Sequence, residues 1–450
     1  MTSDTTSKSS EAMSFVPSRP RGRFRLELPG ADTTAREIRP LLLALGLPTF
    51  GLAFAITILT TYGPPVLLPL THSTAKVGAL IGGEGAFALV VPLIAGALSD
   101  RLPASTPGGR RMPFVLVGAP LAAAGLALLP FAPEYQFAGV TILIFFVGYY
   151  LYYPPYRAIY ADLLPKRFLA RGQSAQAIQR GAGLGIALVA GGLLLSAWTP
   201  LPFVLGAGVL GLATLSLKPV VRLQKHRAEA ADDDDDDTGE GDETSARDLF
   251  LHNRQMQLFA AANALWEFSL AGLKTFIILY ITHGLGKSNR EASAFIAIVA
   301  VAYIVGAPIA SRLAERFGIV PVMAWSAAAY GIALCLGVIP TTPTPMLIDL
   351  PVGALTGSML MTLPQALAFT LAPGASQGAA AGLVDFSRGV GVVLGPVLVG
   401  AAVANSTSFL SSTHGYAIMW PVIGLPVLLS LLVLRKLSVD APVEATGPID

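Results

Sequence analysis

The chain has 450 residues, of which 53% are hydrophobic and only 13% are charged. Soluble domains carry about 25% charged residues, so this composition excludes an ordinary soluble protein and predicts an integral membrane protein. The formal net charge of +2 gives no basis for a nucleic-acid partner, and the single cysteine, Cys335, excludes a disulfide framework and a cysteine-based zinc site.

The N-terminal tail, residues 1–39, is polar and basic. It begins MTSDTTSKSS, and the nearest apolar run starts near Leu41, so we expect no cleavable signal peptide. The stretch SRPRGRFRLELPG is positive enough to lie on an anionic membrane surface, or else it extends freely into solution.

Twelve apolar runs follow, at or near the roughly 20 residues that a helix needs to cross about 30 Å of hydrocarbon. We number these predicted spans 1 to 12, and they cover residues 40–62, 77–99, 112–131, 137–163, 175–198, 201–217, 257–282, 292–311, 319–339, 345–371, 378–404 and 415–434. The predicted fold is therefore an all-α membrane protein with twelve transmembrane helices.

Lysine and arginine are distributed unequally between the two sides of this arrangement. Of the 30 basic residues, 23 lie in the tails and in the loops after even-numbered spans, 3 lie in the opposite loops, and 4 lie within spans. Basic loops stay in the cytoplasm, so both termini are predicted to be cytoplasmic, in the cell membrane.

The longest loop, residues 218–256, divides the chain into two bundles of six helices, 40–217 and 257–436, followed by a tail, 437–450. The loop contains DDDDDDTGEGDE, and such a run of like charges is typical of a solvated linker on the cytoplasmic side.

Two short similarities relate the bundles. Span 5 contains QRGAGLGIAL and span 11 contains SRGVGVVLGP, at an offset of 208 residues, while GALSDRL ends span 2 and SRLAERFG ends span 8, at an offset of 215. These are the helix pairs that a duplication of six helices would relate. Such repeats build a transporter whose site lies between the bundles near the membrane midplane.

These features resemble the major facilitator superfamily. The loop after span 2, GALSDRLPASTPGGRRMPF, is similar to the family's signature of a glycine, an Asp-Arg pair and a basic cluster. Its length and the span-4 stretch PPYRAIYADLLP resemble the glycoside–pentoside–hexuronide branch, especially the sucrose–proton symporters. The chain departs from those symporters at Phe146, where they carry an acid, and in span 7. The resemblance implies the major facilitator fold and an arginine essential for transport at Arg157.

Span 7, which contains ANALWEFSLAGLKTFIILYIT, carries two charges. A charge in the membrane costs about 2.5–3.5 kcal/mol, so charged side chains there usually face a cavity or a partner. Glu267 and Lys274 lie two turns apart on one face, about 10 Å along the axis. Glu267, near the midplane, is predicted to bind substrate or a proton, or else to be a structural acid. Lys274 either binds substrate or reaches the membrane surface, and Trp266 either stacks on a substrate or packs in the core.

Four further charges within spans are candidates for substrate or proton binding. Glu84 lies in GGEG of span 2, and its alternative is an interhelical hydrogen bond. Asp385 and Arg388 share one face of span 11, and their alternative is a structural pair with each other. Arg157 follows two prolines in span 4, which also carries six tyrosines, some of them candidates to line a cavity: Tyr149, Tyr150, Tyr152, Tyr153, Tyr156 and Tyr160.

Charges at the cytoplasmic helix ends, together with one arginine of span 5, are predicted to gate the cavity by forming modest ion pairs that break and reform. These gating candidates are Asp100, Arg101, Arg110, Arg111, Asp162, Arg180, Glu315 and Arg316. The alternative for the arginines is simple anchoring at the membrane surface.

The sequence predicts a monomeric secondary active transporter that imports a small polar solute, expected to be a sugar or glycoside, together with a proton. Two alternatives stay open: an exporter or carrier of a drug or organic acid, and a transporter-like receptor without transport. No nucleotide-binding loop, metal-ligand pair or nucleophile elbow is found, so we expect no enzyme activity, no metal and no cofactor.

Overall fold

A computed structural model of the chain describes residues 38–103, 106, 110–164, 166–220, 251, 253–339, 343–371 and 377–437. The N-terminal tail up to residue 37, the acidic run of the linker and the C-terminal tail beyond residue 437 lie outside the described residues. The predictions made for those three segments therefore stay predictions.

Twelve helices of the described chain are long and apolar enough to cross a membrane, which confirms the predicted all-α fold with twelve spans. We number them α1 to α12: Arg39–Thr71, Thr74–Arg101, Met112–Leu128, Tyr135–Leu163, Lys166–Ala197, Leu201–Leu215, Arg254–Gly284, Asn289–Phe317, Ile319–Leu336, Pro343–Leu371, Gln377–Ser406 and Met419–Leu434. Helix α10 is interrupted at Leu363, between segments Pro343–Thr362 and Pro364–Leu371.

Helix α1 is longer than the sequence indicated. It was predicted to end at residue 62, before Gly63-Pro64-Pro65, but it continues to Thr71 through a π-helical turn, Ile58–Tyr62. The prolines occupy the first turn of the restarted helix, where the regular hydrogen-bond ladder is already interrupted. Helix α7, the corresponding first helix of the second bundle, also contains a π-helical turn, Tyr280–Gly284, which forms its end.

The two bundles meet along two pairs of helices, α2 against α11 and α5 against α8. Alternate helices run in opposite directions, so the chain's two described ends lie on one side, which we call the terminal side. The other side is the distal side. These four helices are also the four that carry the internal sequence similarities, although each one meets a helix other than its similar partner. Together they position the cavity described below.

The distal side of the bundle interface is closed by close backbone packing. The Thr74 hydroxyl of α2 donates to the Gly400 carbonyl of α11 over 2.9 Å. About two turns further into the membrane, a Cβ added to Gly82 would lie 2.8 Å from the Val393 carbonyl oxygen, so only glycine fits there. Helices α5 and α8 also touch near the distal end, where Gly192 faces the Ser293 hydroxyl.

Candidate functional site

A cavity of about 330 Å³ lies between the bundles, lined by α1, α2, α4, α5, α7, α8, α10 and α11. Ligand cavities start at about this volume. Seven charged side chains line it, three acidic and four basic: Glu84, Glu267, Asp385, Arg157, Arg180, Lys274 and Arg388. The cavity thus holds six of the seven residues predicted to bind substrate or protons, together with one of the predicted gating residues.

One ion pair joins α11 to α7 within the second bundle. The Arg388 Nε lies 3.9 Å from the Glu267 Oε1. The Glu267 side chain is only 19% exposed, so few waters replace the arginine as a partner for its charge. The alternative pairing of Arg388 with Asp385, three residues earlier on the same helix, is not made. A same-face spacing allows such a pair, but the neighbouring helix offers Arg388 a more enclosed acid.

A second ion pair crosses from one bundle to the other. The Arg157 Nη1 of α4 lies 3.7 Å from the Asp385 Oδ2 of α11, and the two side chains are 37% and 59% exposed. The distance is beyond a normal hydrogen bond. Water in the cavity screens this pair, so it can exchange for a ligand at modest cost.

Tyr153 of α4 forms the centre of a cationic patch. Its hydroxyl accepts a hydrogen bond from the Arg180 Nη2 of α5 over 2.7 Å. The guanidinium carbons of Arg157 and Arg180 lie 5.5 and 5.8 Å from the centroid of its ring. The π face therefore keeps two guanidinium groups close together.

The remaining two charges lie toward the distal end of the cavity. The Tyr150 hydroxyl donates to the Glu84 Oε1 over 3.2 Å, which is the interhelical hydrogen bond that the sequence left open for Glu84. Lys274 faces the cavity and the charges of Glu84 and Glu267, instead of extending to the membrane surface. Helix α7 continues to Gly284, so Lys274 lies ten residues before its end.

The other tyrosines of span 4 are buried, some in the core of the first bundle and one beside Tyr153. Tyr152, Tyr156 and Tyr160 are buried within the first bundle, where their hydroxyls bond to Thr214, to Thr49 and to the Leu45 carbonyl. Tyr149 is buried and stacks on Tyr153 with the ring centroids 5.8 Å apart. Helical periodicity explains this division, because residues 149, 150 and 153 share one face of α4.

Trp266 does not line the cavity. Its indole is fully buried between α7 and α12, and its Nε1 donates to the Ser430 hydroxyl over 2.7 Å. One residue on, Glu267 points toward the cavity, because successive residues of a helix are rotated by about 100°. The proposed stacking of Trp266 on a substrate is therefore wrong, and the packing alternative describes this residue.

The gating candidates at the terminal side make one ion pair among the described side chains. The Arg111 Nε lies 3.4 Å from the Asp162 Oδ2, and its Nη1 donates to the Ser99 hydroxyl over 2.7 Å. Both partners belong to the first bundle, so this pair does not join the two bundles in this conformation. Arg101, Glu315 and Arg316 are exposed and Arg110 is half-buried. The side chain of Asp100 lies outside the described part of the structure.

Sequence reasoning missed several residues that line the cavity. Asn263 of α7 donates to the Ser387 hydroxyl over 2.8 Å, which ties α7 to α11 beside the charges. Asn263 lies one turn before Glu267 on the same face, and this spacing could have revealed it. Tyr303 of α8 and Gln365 of α10 also line the cavity. No charge or motif in their surroundings distinguishes them in the sequence.

The cavity opens toward the terminal side. Its walls at the distal end are closed by the packing of α2 on α11, whereas Asp385 and Arg157 lie in its terminal half and remain substantially exposed. Arg180 is also exposed, midway along α5. The charged cavity is therefore accessible from the terminal side in this conformation.

Twelve membrane-spanning helices in two six-helix bundles around a central polar cavity define the major facilitator fold. The chain belongs to the MFS_1 like family, which it matches over residues 55–412. No curated protein sequence shows significant similarity to it.

Several solved structures share this fold at low sequence identity. A bacterial homolog of the human lysosomal transporter Spinster, in an inward-facing and unoccupied conformation, is 15% identical, with a TM-score of 0.72 over 90% of this chain and 98% of that one. The nucleoside transporter NupG is 16% identical, with a TM-score of 0.69 over 88% and 98%. A D-xylose-proton symporter is 17% identical, with a TM-score of 0.66 over 89% and 97%.

Proposed function

We propose that the protein is a secondary active transporter that carries a small polar organic solute, of the sugar or glycoside class, across the cell membrane together with a proton. The observation that carries this proposal is the charged cavity between two bundles, closed at one end and open at the other. A cavity of this kind binds a solute on one side and releases it on the other when the bundles rock about it. The proposal takes the protein to act as a monomer.

We place the terminal side in the cytoplasm. The loops and tails on that side hold 23 of the 30 basic residues, and basic loops are retained in the cytoplasm during insertion. On this orientation the present conformation faces the cytoplasm, and Arg101, Arg110, Arg111, Glu315 and Arg316 lie where the bundles meet when the cavity faces outward.

We assign proton coupling to Glu267 and its partner Arg388. A proton on Glu267 removes its negative charge, and with it the attraction that holds Arg388 at 3.9 Å. Arg388 is then free to bind the solute, so proton and solute bind together. Loss of the proton restores the ion pair and favours release. Glu84 has a tyrosine hydroxyl as its hydrogen-bond partner, so its proton exchange moves no comparable ion pair.

The Arg157–Asp385 pair is assigned to movement of the bundles. It joins α4 of the first bundle to α11 of the second, at the open end of the cavity. Movement of the bundles must change this distance. The weak, hydrated pair suits that role because it can break without a large energetic cost.

Support for a sugar-like solute comes from the polar lining of the cavity. Hydroxyl and amide groups of Tyr153, Tyr303, Asn263 and Gln365 accompany the charges, and such groups bond well to polyols. The resemblance of spans 2 to 5 to sucrose–proton symporters and the shared fold with a D-xylose-proton symporter agree with this class.

The test is proton movement in liposomes that contain the purified protein and an internal pH indicator, with a panel of sugars, glycosides and sugar acids added outside. A solute-dependent pH change would support both transport and coupling. Glu267→Gln should abolish uptake driven by a proton gradient and retain solute exchange, because the amide cannot release a proton. Unchanged gradient-driven uptake in this variant would remove Glu267 from the mechanism.

A further inference from the structure

The charges of the cavity do not balance. Four basic and three acidic side chains line it, a formal charge of +1. An uncompensated charge in a cavity between membrane-spanning helices favours a ligand of opposite sign. A proton on one of the acids, as the proposed transport cycle requires, would raise the formal charge of the cavity to +2.

Arg180 is the cation that lacks an acidic partner. Within the residues that the structure describes, no carboxylate lies within 4 Å of its guanidinium group, whose neighbours are the hydroxyl and ring of Tyr153. Lys274 also lacks such a pair, but it faces the charge of Glu84 across the distal end of the cavity. The excess positive charge is therefore concentrated beside Tyr153.

The internal repeat also indicates that Arg180 lacks an acidic partner. Arg180 and Arg388 occupy corresponding positions of α5 and α11. Arg388 has Glu267 at 3.9 Å, and three residues before it lies Asp385. The position matching Asp385 is Ala177, so the first bundle keeps the arginine without the acid.

We infer that the cavity recognises a solute bearing a carboxylate, and that Arg180, Tyr153 and Arg157 form the site that binds this group. This inference rests on the proposed transport function and names the substrate class more closely, as a sugar acid or a similar polar organic acid. The planar guanidinium group pairs with both oxygens of a carboxylate. The hydroxyl of Tyr153, already accepting from Arg180, has its own hydrogen to donate to the solute.

Arg157 completes the site by exchange of partners. Its pair with Asp385 is long, at 3.7 Å, and hydrated, so a solute carboxylate can replace Asp385 at modest cost. Because that pair joins the bundles, binding of the anion loosens a contact between them. A proton and a monoanion entering together carry no net charge, so uptake of such a pair is electrically neutral.

The test measures binding to the purified protein in detergent by calorimetry, with paired probes in which a carboxylate replaces one CH2OH group. The pairs are glucuronate with glucose, galacturonate with galactose, and gluconate with sorbitol, and glucose 6-phosphate tests whether a phosphate replaces the carboxylate. We expect the anion of at least one pair to bind about tenfold or more tightly than its neutral partner. Equal binding within every pair, no binding by any anion, or preference for the phosphate alone would overturn the inference.

Variants of Arg180 and Tyr153 test which residues produce the preference for an anionic probe. Arg180→Gln should weaken anion binding by about 10- to 100-fold and reduce the difference in affinity between the anionic and the neutral probe. Arg180→Lys should retain part of the preference, and Tyr153→Phe should lose less than Arg180→Gln. Arg290→Gln, at an exposed position on the distal side, is the matched control and should bind as the unchanged protein does. Full anion preference in folded Arg180→Gln would also overturn the assignment.

These experiments can contradict the carboxylate site and the proposed transport function independently of each other. Anion-selective binding without any solute flux or proton movement in liposomes would contradict the proposed transport function and keep the recognition site. Transport of neutral sugars, with no anion preference in detergent, would keep the transport function and overturn the carboxylate site.

Discussion

Arg180 and Arg388 occupy corresponding positions in the similar stretches of the two bundles, and the structure surrounds them differently. Arg388 pairs with Glu267, an acid that is mostly enclosed. Arg180 has a tyrosine and a second arginine as neighbours and is exposed to the cavity. On our proposals this difference separates two roles: a cation with its own acid responds to a proton, whereas a cation without one binds an anionic solute.

The largest expected effect comes from removing the paired arginine. Arg388→Gln leaves Glu267 enclosed without its cation, so the carboxyl keeps its proton and cannot complete the cycle. We expect gradient-driven uptake of every solute to fall about 100-fold or more, measured as initial rates in liposomes. Arg388→Lys, which keeps the charge, should retain a measurable part of the rate. Near-normal uptake in the glutamine variant would show that the two arginines do not differ as we describe.

Adding an acid to the first bundle should supply Arg180 with the carboxylate that its surroundings lack. Ala177→Asp places a carboxylate three residues before Arg180, on the same face of α5. This carboxylate should compete with an anionic solute and weaken its binding by about tenfold, or 1.4 kcal/mol, at effective dielectric constants typical of proteins. Calorimetry with the anionic probe measures the effect, and Ala177→Asn is the uncharged control. An equal loss in both variants would indicate a steric cause.

A smaller effect on uptake is expected from removing Asp385, the acid that is more exposed to water than Glu267. Asp385→Asn removes the pair with Arg157 across the bundles, and exposed pairs contribute about 0.2–1 kcal/mol. Uptake rates in liposomes should therefore change by no more than about fivefold, and proton coupling should persist. Complete loss of coupling would instead identify Asp385, and not Glu267, as the residue that carries the proton.

The smallest effect on transport should come from Trp266, which is adjacent to Glu267 in sequence but faces α12. Trp266→Phe removes the hydrogen bond to Ser430, and a net loss of about 1 kcal/mol of stability should lower the thermal unfolding temperature in detergent. Uptake rates should stay within about twofold. A large fall in solute affinity at unchanged stability would return Trp266 to the binding site.

The sequence could predict the fold and most of the residues of the cavity. Twelve apolar runs required twelve helices, because each needs about 20 apolar residues to cross the hydrocarbon. Six charged residues were selected as binding candidates because charges within a membrane require a cavity or a partner, and the structure brings all six to one cavity. The end of α1 was missed because a π-helical turn lets the helix pass the proline pair.

What the sequence by itself determined is therefore the number of helices, the presence of two related halves and the charges that must avoid lipid. Only the tertiary structure decided that Arg388 pairs with Glu267, that Asp385 pairs with Arg157 and that Trp266 faces Ser430. The physical reason is that helical periodicity fixes which residues share a face, whereas an ion pair depends on which neighbouring helix packs against that face.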